Sequence, residues 1–227
     1  MTVLVTALLG ILQGLRHALE PDHLAAVSTL ATQSGNHRSG MWLGAFWGVG
    51  HATTLFLVGG TLAALGHALP IRAGQGFELL VAAMLVALGV RAVRRAIVQG
   101  RAVHVAHGDG PVHDHSRPLD HIHFRGQAMA TRPLLVGVVH GLAGSGAITA
   151  AVLAELPDTA GRLGAIACFG FGSVLGMAVV SGVLGVPLLR LRERPRVAAG
   201  IMLGVGLTSA LLGVSWGVDA AIALGAR

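Results

Sequence analysis

The sequence predicts an all-α integral membrane protein: six transmembrane helices as two inverted three-helix repeats, with the first and fourth helices broken near mid-membrane. Three observations carry this. Hydrophobic residues make up 53% of the chain and charged residues 11%, whereas a soluble domain carries about 25% charged residues. The apolar residues fall into six blocks, 2–33, 40–66, 76–98, 131–154, 161–190 and 197–222, each long enough for the ~20 residues that cross a bilayer as a helix. The last three blocks also resemble the first three. A β-barrel is disfavoured because Tyr is absent and aromatic residues total 4%, too few for interfacial girdles.

Block 2–33 would measure roughly 45 Å as one straight helix, and Pro21 says where it breaks. Proline lacks an N–H, and its ring clashes with the carbonyl four residues back, that of His17. The helix should therefore unwind over residues 18–21 and free that carbonyl. Around the break runs Arg16-His17-Ala18-Leu19-Glu20-Pro21-Asp22-His23, in which five of eight residues are ionisable. Such groups inside a span are costly and mark ion paths. Arg16 and Glu20 are spaced to pair with each other. Block 40–66 carries His51 behind Gly48 and Gly50. Block 131–154 carries His140 followed by Gly141, Gly144 and Gly146, whose backbone freedom should give the counterpart of the first break. His37 and His67 fall at span ends and should be solvated.

GLRHALEPDHLAAVSTLA from Gly14 aligns with GVVHGLAGSGAITAAVLA from Gly137, setting His17 against His140. WLGAFWGVGHATTLF from Trp42 aligns with RLGAIACFGFGSVLG from Arg162, setting Gly50 against Gly170 and His51 against Phe171. An odd number of spans per half makes the halves run oppositely, the plan of transporters that bind substrate at a repeat interface. Three parts follow: repeat 1 (1–98), a loop (99–130) and repeat 2 (131–227). Twelve of the 16 arginines lie in loops 34–39, 91–132 and 190–196. The positive-inside bias then places that loop in the cytoplasm and both termini outside the cytoplasmic membrane. The first apolar block contains the charged motif and lacks a cleavage pattern, so it reads as a retained span.

The loop holds His104, His107, His113, His115, His121 and His123 with three aspartates. Histidine-rich tracts of this kind bind metal weakly, so the loop is expected to buffer metal and to offer a docking point to a cytoplasmic metallochaperone. The buried motif provides imidazole and carboxylate without thiolate, since lone Cys168 lies in an apolar run. That donor set suits Ni2+, Co2+, Cu2+ or Zn2+ rather than Ca2+ or Mg2+. His17, Asp22 and His23 are the expected ligands, His51 the next, and His140 a supporting or transient one. The metal is cargo, and no prosthetic group is expected.

RHALEPDHLAAV resembles the HxxxxDH signature of the nickel/cobalt transporter family, and FWGVGHATTLFLVG resembles its Gly-His-Ser/Thr stretch in the following helix. VHGLAGSGAITAAVL is similar to the corresponding part of the short urease-associated nickel permeases, the nearest branch. The resemblance implies import of Ni2+ or Co2+ and carries His17, Asp22, His23 and His51 over as ligands. The chain departs from the longer members in lacking their leading helix and later acidic motif, and in having Glu20-Pro21 within the signature. Its histidine-rich loop is similar to that of related nickel/cobalt efflux proteins, which makes efflux the alternative. A metal-storage protein acting through the loop and an intramembrane zinc hydrolase are readings of another class. H-E-x-x-H, which the hydrolase needs, is absent from the sequence, so no enzyme is expected. The positive charge reports topology, not nucleic-acid binding. ATP-driven transport by a P-loop needs a lysine, and the chain has none.

Overall fold

The computed structural model describes residues 3–31, 37–102, 122–124, 127–129, 131–190 and 194–225. Its helices are α1 (Val3–His17), α2 (Pro21–Ala31), α3 (His37–Leu65), α4 (Ile71–Ala102), α5 (Thr131–Glu155), α6 (Thr159–Arg190) and α7 (Pro195–Gly225). Among them, 38–65 of α3, 71–98 of α4, 159–184 of α6 and 196–225 of α7 are long and apolar enough to cross a membrane; α1 is a shorter apolar helix. In the loop, β1 (Ile122–Phe124) and β2 (Gln127–Met129) form a small antiparallel ladder, with His123 opposite Ala128. This pairing was not expected of an all-α chain. His104, His107, His113, His115 and His121 lie outside the described residues.

The first apolar block does break where Pro21 requires. α1 ends at His17, and the chain turns through N–H groups of Leu19 and Glu20 bonded to the carbonyls of Arg16 (2.9 Å) and His17 (3.0 Å). The His17 carbonyl is thus not freed as expected: the tight turn occupies it. Glu20 caps α2, its carbonyl accepting the Leu24 N–H at 2.9 Å. Pro21 then takes the first helical position, where a missing N–H costs nothing. The turn also removes the spacing that would pair Arg16 with Glu20, and Glu20 instead meets His17 Nδ1 at 2.9 Å.

The break expected in the fourth apolar block does not occur, because α5 runs unbroken from Thr131 to Glu155. Its glycines serve close approach instead. A Cβ on Gly137 would strike the carbonyl of Trp47, and one on Gly141 the carbonyl of His51. Missing side chains let the α5 and α3 backbones touch, which offers more contact than unwinding a turn in hydrocarbon.

Helix contacts are reciprocal between the halves. α3 packs on α6 and α4 on α7; α1 lies along α6 as α5 lies along α3. Gly50 abuts the Leu134 carbonyl, and Gly172 abuts that of Ile11. Gly89 fits against Gly206 and Ala210, and Gly213 against Ala82 and Val86. The core beneath α2 is formed by Ala26, Val27, Trp47, Leu85 and Met177.

Candidate metal centre

His17 is delivered by the C-terminal end of α1, while Asp22 and His23 come from the first turn of α2. The N-terminus of α2 favours a carboxylate, and the C-terminus of α1 favours a cation. His51 projects from the middle of α3 and His140 from the middle of α5. They meet because Gly137 and Gly141 let those backbones touch on either side of His51. All five sequence-predicted ligands come together.

Asp22 is the hub. Its Oδ2 lies 2.6 Å from His140 Nε2 and its Oδ1 lies 3.0 Å from His23 Nδ1. Ring centroids are 4.1 Å apart for His23 and His140, 4.2 Å for His17 and His23, and 5.2 Å for His23 and His51. Two overlapping sets result: Asp22, His23 and His140, and His17, His23 and His51, the ligand atoms within each set lying inside 4.8 Å of one another. His23 belongs to both.

The cluster is mostly buried, with His17 its most exposed member at 14% of its side chain. Exposure is 6% for Asp22, 1% for His23, 2% for His140 and zero for His51. Yet His17 Nε2, His23 Nε2, His140 Nδ1 and both nitrogens of His51 have no hydrogen-bond partner among the described residues. Buried polar atoms are almost always paired, and those left over call for an explanation. Five such nitrogens lie in one cluster. Each neutral imidazole keeps one lone pair, so the four histidines offer four nitrogen donors beside a carboxylate, the donor set of a first-row divalent ion. The i, i+4 pairing of H-E-x-x-H is missing, so the arrangement lacks the zincin plan of ligands and base on one helix.

Two aromatic walls escaped the sequence reading. The Trp47 ring lies 5.4 Å from His23 and 5.7 Å from His140, and Phe169 lies 5.1 Å from His17. Single aromatics in apolar helices carry no signal of their own. A cavity of about 590 Å³ opens onto His17, Asp22, His23 and His140 and is also lined by Glu20, Glu78 and Asp219. Glu78 and Asp219 could have been found in the sequence, since each is a lone acid inside an apolar block.

Comparison with known proteins agrees with this chemistry. A family model described as NicO, high-affinity nickel-transport protein, matches residues 3–226. Urease accessory protein UreH of Bacillus sp. (strain TB-90) is 29% identical over 215 residues, covering 92% of this chain and 88% of that protein. No solved structure matches.

Proposed function

The chain belongs to the high-affinity nickel-transport protein family, and from that premise we propose that it imports Ni2+ or Co2+ through the buried cluster. The observation that carries this is the set of unpartnered histidine nitrogens around Asp22. His17, Asp22, His23 and His140 all border the cavity, and the set built on the Asp22 carboxylate, the stronger draw for a dication, receives the ion first. The ion then passes to His17, His23 and His51, with His23 common to both positions. Among the five, His51 alone does not border that cavity, so the second position reaches deeper through His51 while His17 and His23 stay at the cavity. Neutral imidazoles with one carboxylate offset only part of a dication's charge, so the ion can leave again.

Six crossings follow if α1 and α2 together form one span and α5 another. The reciprocal contacts support two inverted repeats. Gly14 abuts the Phe169 carbonyl as Gly137 abuts that of Trp47. They favour pairing Gly50 with Gly172 and His51 with Ser173, two residues on from the sequence alignment. The arginine distribution supports cytoplasmic loops at 34–39, 91–132 and 190–196, with both termini outside the cytoplasmic membrane. The histidine-rich loop then lies on the receiving side, where it can buffer arriving metal and meet a metallochaperone.

Accumulation of radiolabelled nickel by cells expressing the chain tests the reading. Uptake above the empty-vector level, abolished by His17→Ala, is the expected result. Reduced accumulation with raised nickel tolerance would make the protein an exporter, and indifference to His17→Ala would sink the buried route.

A further inference from the structure

Four acids lie inside the apolar blocks: Glu20 and Asp22 at the break of the first, Glu78 near the start of the third and Asp219 near the end of the last. All four line the cavity over the cluster, and no arginine lines it among the described residues. They arrive from three separate parts of the fold: the α1–α2 turn with α2, then α4, then α7. Neither Glu78 nor Asp219 has a hydrogen-bond or ion-pair partner among the described residues. Carboxylates within apolar spans are costly unless they serve a polar path, and Glu20, Glu78 and Asp219 are all exposed, as a path open to water requires. The same cavity is bordered by His23 and His140, 1% and 2% exposed. Each keeps an unpartnered ring nitrogen.

We propose that Glu78 and Asp219, with Glu20, form an acidic capture site that holds an incoming hydrated divalent cation before it exchanges water for Asp22 and the histidines. The inference rests on the transport reading above. Neither Glu78 nor Asp219 belongs to the ligand sets whose atoms lie within 4.8 Å of one another, so these carboxylates act through the ion's water shell. Space permits it. At about 30 Å³ per water, an octahedral aqua ion needs roughly 200 Å³, well within the cavity's 590 Å³.

The site is also one-sided. Gly89 meets Gly206 and Ala210 as Gly213 meets Ala82 and Val86, which makes Gly89 and Gly213 equivalent. Carried along α4 and α7, that equivalence sets Glu78 against Met202 and Asp219 against Arg95. The two faces of the repeat thus differ in charge. A dication is drawn in at the acidic face, whereas the matching positions opposite, Met202 and Arg95, carry no acid, a difference that favours one direction of loading.

The test is nickel uptake into liposomes holding the purified chain, measured against Ni2+ concentration. Ionic strength is set at about 0.01 and 0.1 M, where the screening length falls from about 30 to about 10 Å. For the wild type, KM should rise roughly threefold or more with salt, with kcat held. Glu78→Gln with Asp219→Asn should raise KM by roughly three- to tenfold at low salt and flatten the salt response. Glu78→Asp with Asp219→Glu should restore both. A wild-type KM indifferent to salt, or a neutralised variant with unchanged KM or with only kcat lowered, would overturn the capture site. Should the double variant not reach the membrane, the wild-type salt series and Glu78→Gln alone decide. Wild-type uptake no greater than that of His23→Ala would overturn the transport reading, and the capture site with it.

Discussion

Asp22 ties the cluster together, since one carboxylate holds both His23 and His140. Asp22→Asn keeps the shape but removes the charge and an acceptor, leaving at least one buried imidazole N–H without its partner. Such a loss costs about 1–3 kcal/mol, so nickel affinity should fall roughly tenfold to a hundredfold, read from the concentration dependence of uptake. His140→Ala should be as damaging as His23→Ala if His140 is a full ligand. Uptake near wild type in His140→Ala would return it to a supporting role. His17, Asp22, His23 and His51 were legible in the sequence because ionisable residues stand out against an apolar background. The closeness of His140 to Asp22 was not. That distance depends on how α5 meets α3, which no spacing within either helix encodes.

At the scale of elements, the break before Pro21 and the closeness of α3 to α5 build the centre. On a continuous helix, His17 and His23, six residues apart, would point about 120° away from each other at 100° per residue. Pro21→Ala restores the N–H and removes the clash that ends α1. Nickel uptake should therefore fall severalfold even though no ligand is touched. Wild-type uptake in that variant would show that the turn holds without proline. Gly137→Val puts side-chain atoms into the Trp47 carbonyl and should lower stability by about 1–3 kcal/mol, the usual cost of overpacking. A lower thermal-unfolding midpoint in detergent would show it. Pro21 made the first break readable because proline's effect is local and covalent. The glycines of α5 were misread because glycine permits both unwinding and close packing, and only the neighbouring helix decides between them.

For the whole molecule, the reciprocal contacts and the one-sided arginines point to a single topology that labelling can examine. In a Cys168→Ala background, cysteines placed at 67, 114 and 158 can be probed with a membrane-impermeant maleimide. α5 lies between positions 114 and 158, and the pair α4 and α5 lies between 67 and 158. One crossing exchanges sides and two restore them. His67→Cys and Asp158→Cys should therefore react in intact cells, and Asp114→Cys only after permeabilisation. The reverse pattern would invert the protein and set the acidic cavity facing the cytoplasm, the loading side of an exporter. Equal labelling at 114 and 158 would mean that α5 does not cross, and the inverted repeat would fall with it. The same preparation can test the loop. Deleting residues 104–123 leaves the buried donors intact, so it should tune nickel accumulation without abolishing it. Complete loss, with normal protein levels and unchanged labelling at 67 and 158, would move the functional metal contact from the cluster to the loop.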